Sequence, residues 1–242
     1  MKGPSARRGA SARPVPAHSA SSAAATQPVR KVITRRTARV IGLFSSVKMK
    51  RHVPWESQLE LDFLRLMEVD NSVTAFYAQP EICHYQLKGK EHRYFPDLRV
   101  ERADRSVRMV EIKFQEKADT PENKERFALI EALYAERGIS FEVVTETVIR
   151  RQPRLANAKL LLEAREFTPS ERLCLRVAEA FAVRRPATLG DLEAVLGFSP
   201  ARRGELYAMA MCGYFDIDIE NAPLSANSLI KGAVLRPNKG EL

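Results

Sequence analysis

The sequence predicts an α/β protein: a mixed sheet flanked by helices, followed by a small helical module with a β tail. Three observations carry this reading. Between residues 51 and 165 a helical pattern is followed by several strand-like runs, a second helix and a further strand. From residue 166 onward the strongest signals are helix caps. The first 50 residues show neither pattern. The expected parts are therefore 1–50, a basic and largely disordered arm; 51–165, the mixed α/β domain; and 166–242, the small C-terminal domain.

Taking the elements in order, the arm is defined by its charge. Residues 1–54 hold twelve Lys and Arg and no Asp or Glu, which leaves 27 basic against 30 acidic residues in the rest. The whole positive excess of the chain, +9, lies there. Such a segment binds polyanions by releasing counterions from phosphates. Arg30, Lys31, Arg35, Arg36 and Arg39 are its candidate phosphate contacts. Residues 1–28, rich in Ala, Ser and Pro, also read as a solvated tail or as an acid-poor transit peptide. No apolar run approaches 18 residues, so no membrane span is expected, and no apolar h-region marks a secretory signal. Three scattered cysteines (Cys83, Cys174, Cys212) argue for a reducing compartment rather than a disulfide framework.

Within 51–165, "ESQLELDFLRLMEVD" has helical spacing. Glu60, Phe63, Leu64 and Met67 share one face, with Asp62, Arg65 and Glu68 expected on a polar face elsewhere. "SVTAFYAQ" and "EICHYQL" read as strands, "KGKEH" as a turn and "RYFPDLRV" as the next strand. "ERADRS" is a second turn before the strand "VRMVEIKF". A helix follows, with Thr120 as N-cap, Pro121 in the first turn and Gly138 as terminator, and "ISFEVVT" is a last strand. In the C-terminal part, "TPSE" reads as a capping box on Thr168 and Glu171. Thr188 opens a short helix that ends at Gly197, and Ser199-Pro200 opens a third, running to Met211. Two helices joined by "GFSP", then a β-hairpin, make a winged helix the expectation. Its third helix carries only Arg202 and Arg203 near its start, so binding protein is as well supported as reading DNA.

The chemistry concentrates in "FPDLRV" and "VEIKF". Alternation puts Val110, Ile112 and Phe114 on one face and Glu111 and Lys113 on the other. Pairing through the turn at 101–106 brings Asp97 close to Glu111. Two nearby carboxylates repel unless a cation neutralises them, and a hard divalent metal is the usual one. Lys113 would then orient or deprotonate a water. The plainer reading is a surface Glu111–Lys113 ion pair. Pro96 weighs against it, because proline confines a strand to an edge or a bulge. Glu60, on the core-facing stripe, needs an arginine partner or a metal, with Glu56 as the competing carboxylate on that face. Four histidines show no zinc spacing, and His84 and His92 flank the turn at 88–91 as exposed strand residues. No nucleophile elbow or P-loop occurs.

"WESQLELDFLRLMEVDNSVTAFYAQPE", "YFPDLRV" and "VEIKF", with "FSSVKMKRHVPWES" ahead of them, together resemble the TnsA endonucleases, nuclease subunits of heteromeric transposases. The resemblance covers about residues 30–165. It implies a restriction-endonuclease-like fold with a PD-(D/E)-x-K site. The catalytic positions would fall on Glu60, Asp97, Glu111 and Lys113. Some members carry Gln where this chain has Glu111. Two Mg²⁺ or Mn²⁺ ions would be held by Glu60, Asp97, Glu111 and the carbonyl of Ile112. Gln79 matches a recurrent Gln with a structural or DNA-facing role, and Lys124 joins the DNA-binding candidates. The implied partners are double-stranded DNA, a DDE-type transposase that cuts the 3′ ends while this subunit cuts the 5′ ends, and an ATPase regulator. The expected setting is the bacterial cytoplasm, at the nucleoid. The rival readings are a stand-alone restriction or repair nuclease and an inactive, DNA-binding adaptor of the same fold.

Overall fold

The computed structural model describes residues 42–232, so Arg30, Lys31, Arg35, Arg36 and Arg39 lie outside the described residues. The described chain starts with an antiparallel hairpin, β1 (Gly42–Ser46) and β2 (Arg51–Trp55). That corrects the expectation of a mostly unstructured segment up to residue 50. Phe44, Val53 and Trp55 alternate into the core between polar and basic neighbours. Helix α1 (Gln58–Val69) follows, with Ser57 as its N-cap.

Next come β3 (Val73–Ala78), β4 (Cys83–Leu87), β5 (Lys90–Tyr94), β6 (Leu98–Arg102) and β7 (Val107–Ile112). "RYFPDLRV" is not one strand, as expected from its composition. It breaks at 95–97, because Pro96 has no N–H to give a ladder. The short helix α2 (Gln115–Ala118) and the long α3 (Pro121–Ala135) lead to β8 (Ser140–Val144). Thr120 caps α3 through the Asn123 N–H, and Gly138 takes the left-handed φ of 67° that ends its turn. The main sheet runs β3-β6-β7-β8, with only β7–β8 parallel. A parallel pair needs a crossover, and α2 and α3 supply it. The mixed sheet with flanking helices is thus present, and it fits a restriction-endonuclease-like fold.

Side chains alternate across this sheet into two cores. Leu98, Val100, Val110 and Ile112 pack with α1, while Met109 packs with Ile130 and Tyr134 of α3 and with Cys83, Tyr85 and Tyr94. Two helices were not foreseen: α4 (Glu146–Ile149) and α5 (Arg154–Glu163). Helix α5 buries Leu155, Ala158 and Leu162 at helical spacing, but no Ser, Thr or Asp caps its start. The buried face of α1 is also wider than expected. Asp62 and Glu68 are 6% and 4% exposed rather than solvated. Asp62 pairs with Arg65, Arg150 and Lys159, and Glu68 accepts bonds from the β1–β2 turn. The helix is wrapped on more than one side, and one stripe cannot describe it.

The C-terminal part holds α6 (Glu171–Val183), α7 (Leu189–Leu196), α8 (Arg203–Met211) and an antiparallel pair, β9 (Phe215–Ile217) and β10 (Ile230–Gly232). The cap of α6 is Ser170, which accepts from the Leu173 N–H, and not Thr168. Thr168 precedes a proline and is held out of the helical region. Thr188 and Asp191 form a full capping box on α7. Asn157 of α5 clasps this part to the rest: its Nδ2 donates to the carbonyls of Ile219 and Ala222, and its Oδ1 accepts from the Leu224 N–H. Asn71, just past α1, donates to Ala210 O and Asp216.

Candidate active site

The turn at 103–106 fixes the register of β6 on β7, Leu98 opposite Val110 and Glu101 opposite Val107. One more step in that register sets Asp97 opposite Glu111. Asp97 is held from both sides: its carbonyl accepts from the Gln79 N–H at 2.9 Å, and its Oδ2 accepts from the Ile112 N–H at 2.7 Å. Glu111 is buried at 4% exposure. Its Oε2 accepts from the Tyr94 hydroxyl at 2.8 Å and its Oε1 from Lys113 Nζ at 2.7 Å. Arg126 Nη2 lies 4.0 Å from the same Oε1.

Among the described residues, no arginine pairs with Glu60. Its Oε1 accepts from the Ser57 hydroxyl at 2.9 Å and its Oε2 from the Glu56 N–H at 2.8 Å. Ser57 in turn accepts from the Glu60 N–H. The carboxylate therefore doubles as a local cap on the first turn of α1, where a negative charge is favoured.

A cavity of about 300 Å³ gathers Glu56, Ser57, Glu60, Asp97, Ile112, Lys113, Phe114 and Lys117. Glu111 forms the wall behind it through Lys113. Lys117 was missed by the sequence reading. It lies in α2, four residues past Lys113, and among the described residues its side chain makes no ion pair. Gln79 is buried, at a φ of 44°, and its Nε2 donates to Glu56 Oε1, so its position serves structure rather than an outward face. Lys124 is elsewhere, exposed and paired with Asp119 at 3.0 Å. A larger cavity, about 490 Å³, lies by Phe181 and Tyr214, with Arg185 its sole charged lining residue. It offers no acid–base pair.

Burial first, and the Glu111 and Glu60 carboxylates second, hold the Asp97 carboxyl well above the usual range. The Ile112 N–H and Lys113 pull the other way. Glu60 is raised too, by burial and then by Glu56 and Glu111, against the Glu56 amide and the Ser57 hydroxyl. Burial and Glu111 push Tyr94 far up, so it remains a hydroxyl donor.

Asp97 ties the stability of the fold to pH. Its folded value is raised, so its contribution to stability is full below the unfolded value and is lost as pH rises through the folded one. Asp97→Asn keeps an acceptor for the Ile112 N–H and removes the charge. It should stabilise the ion-free protein at pH 7.5 by about 1 kcal/mol, raising Tm by about 2–4 °C, with the gain vanishing near pH 4. Scanning calorimetry in chelator checks this, and an unchanged or lower Tm at pH 7.5 would contradict the crowding of carboxylates. Tyr94→Phe deletes only the donor to Glu111. The buried Glu111 then loses a charge-assisted bond worth about 1.5–3 kcal/mol, and Tm should fall by about 3–12 °C. Melting curves test it, and an unchanged Tm would mean that the bond is idle.

Asp97 and Glu111 offer the hard oxygen donors that Mg²⁺ or Mn²⁺ takes, and their repulsion is what a cation would relieve. Among the described residues, however, no three His, Cys, Asp or Glu side chains are grouped to hold a metal as they stand. Glu60 is drawn aside by its cap. Each engaged carboxylate oxygen keeps a second lone pair, so the donor set fits in kind.

Residues 70–146 match the family described as TnsA-like endonuclease N terminal. The match holds Asp97, Glu111 and Lys113 and stops short of α1 with Glu60. Comparison with curated proteins gives no match.

Proposed function

We propose that the protein, whose residues 70–146 match the TnsA-like endonuclease N-terminal family, is a metal-dependent endodeoxyribonuclease. It acts as the TnsA-like subunit of a heteromeric transposase and cuts the 5′ ends of a transposon by hydrolysis. The observation that carries this reading is Asp97 and Lys113 lining one cavity, with the buried Glu111 opposite Asp97 and 2.7 Å from Lys113 Nζ, all inside the matched stretch.

Asp97, Glu111, the Ile112 carbonyl and, released from its cap, Glu60 would hold Mg²⁺ or Mn²⁺. When bound, the ion supplies an acidified water and neutralises charge at the scissile phosphate. The chain's own residues do the rest. Glu111 fixes the Lys113 ammonium, which donates toward the attacking water or a phosphate oxygen. Tyr94 fixes Glu111 in turn. Lys117 adds a second cation at the rim, where phosphate would enter. The exposed Phe114, with Arg150 5.9 Å from its ring, gives the cavity an apolar lip.

The partners follow from the same reading: double-stranded DNA, a DDE-type transposase for the other strand and an ATPase regulator. Three helices and a β pair support a winged-helix reading of residues 171–232. Arg202 and Arg203 are engaged with Glu205 and Glu193, which favours protein docking there over DNA reading. No helix among the described residues is long and apolar enough to cross a membrane.

The capped Glu60 favours one rival, an inactive adaptor of the same fold. Calorimetric titration of Mn²⁺ with a short DNA duplex present separates the two. Binding in the wild type that is lost in Asp97→Ala supports the nuclease. Intact DNA binding with no Mn²⁺ binding in the wild type promotes the adaptor.

A further inference from the structure

Strands β4 and β5 form a hairpin that joins no other sheet. One face, with Cys83, Tyr85 and Tyr94, is buried with Ile130 and Tyr134 of α3. The other face carries His84 beside Arg93 and Gln86 beside Glu91, all exposed. Its tip is Lys88-Gly89, at φ of 51° and 74°, the left-handed pair that lets a ribbon reverse in two residues. Lys90 follows directly.

The charges of this ribbon are largely uncommitted. Among the described residues, the side chains of Gln86, Lys90 and Arg93 make no hydrogen bond or ion pair. Glu91, its one carboxylate, is held by His84 at 2.8 Å. Lys88 meets Glu125 at 3.0 Å, but both are open to solvent, where such a pair is worth little. Within residues 83–94 no large apolar side chain is exposed to anchor a protein partner, and Ile82 at the foot of β4 is the nearest that is.

The root of the ribbon is the site itself. Tyr94, the last residue of β5, donates to Glu111, and Asp97 lies three residues further on. From Tyr94 to the tip, five residues span about 17 Å.

We infer that the β4–β5 hairpin lies in the major groove of double-stranded DNA and reads sequence beside the cut, an inference that rests on the endonuclease reading. A two-stranded ribbon fits that groove. The Gln86 amide can give an adenine edge one donor and one acceptor, the Arg93 guanidinium can give a guanine edge two donors, and His84 stands beside Arg93. Lys88 and Lys90 meet the flanking phosphates. Because the ribbon is rooted at Glu111 and Asp97, it fixes the spacing between the bases read and the bond cut.

The test uses the full chain carrying Asp97→Asn, two double variants in that background, and a random-sequence pool of labelled duplexes. Lys88→Ala/Lys90→Ala should lower affinity about tenfold and flatten the slope of log affinity against log salt by about 2. Gln86→Ala/Arg93→Ala should relax the base preference recovered by selection from the pool. Both pairs are exposed, and melting curves confirm folding. If both variants bind and select as their parent does, the hairpin inference is overturned. Mn²⁺-dependent cutting by the wild type, run alongside, reports on the endonuclease reading separately. Cutting with unchanged variants removes only the hairpin; impaired variants without cutting remove the nuclease and the spacing to a cut, and leave the hairpin as a reader of DNA. A parent that binds no duplex at all overturns the hairpin too.

Discussion

Asp97→Ala should reduce Mn²⁺-dependent cleavage of duplex DNA by about 10³-fold or more, a loss of about 4 kcal/mol in transition-state stabilisation. Three roles meet on this carboxylate. It faces Glu111 across the β6–β7 ladder, it lines the cavity, and it accepts the Ile112 N–H at 2.7 Å. Alanine removes the anionic oxygen at the point where metal and phosphate would meet. The structural cost is small by comparison. One amide loses its acceptor, about 1 kcal/mol, and relief of repulsion with Glu111 and Glu60 offsets it. Affinity for DNA should stay within about threefold, because removing a negative charge does not weaken phosphate contacts. Cleavage rates and duplex affinity measured on the same preparation decide the matter. Residual cleavage within tenfold of wild type would remove Asp97 from the chemistry.

Glu68→Ala is expected to have the largest effect on stability, about 3–5 kcal/mol. The Glu68 carboxylate is buried at the end of α1 and staples the β1–β2 turn to it. Oε2 accepts from the Ser46 hydroxyl at 2.6 Å, and Oε1 accepts from the Val47 and Lys48 amides at 2.8 and 2.9 Å. Lys48 Nζ donates to the Met67 and Asp70 carbonyls, supplying the positive charge that the last turn of α1 lacks. Alanine leaves these donors without their acceptor and removes one of the two carboxylates that support the Lys48 ammonium. A drop in Tm of about 6–20 °C should follow. Burial lowers Lys48 to about 8 from its ordinary 10.5, against the pull of Glu68 and Asp70. The unfolded chain thus binds more protons between about pH 8 and 10.5, and the contribution of Lys48 to stability grows as pH rises through that window. The deficit of Glu68→Ala should accordingly be larger at pH 7 than at pH 10. Denaturant melts at the two values test both statements, and a loss below about 1 kcal/mol would mean the staple is idle.

The parts of this fold that are legible in the sequence are those written in local chemistry. Thr120, Gly138, Thr188 and Gly197 each mark a helix end through a bond or a left-handed φ that needs no tertiary partner. The nearness of Asp97 and Glu111 is legible for a similar reason, since a short turn fixes the register between them. The β1–β2 hairpin is hidden because its inward Phe44, Val53 and Trp55 sit among basic residues that read as a solvated arm. Helix α5 is hidden because nothing caps it. Asp62 and Glu68 mislead because amphipathic spacing assumes one buried face. Glu60 is half legible. Its place on the cavity follows from helical spacing, while its bonds to Ser57 and Glu56 depend on cap geometry that the spacing does not encode.

Helix α1 carries Glu60 in its first turn, and just past its last turn Asn71 is tied to Ala210 of α8. Twelve helical residues separate the two ends, about 18 Å of stiff rod. The same rod thus joins the residue tied to α8 to the residue that lines the cavity, so their spacing is set by one stiff body and not by loops.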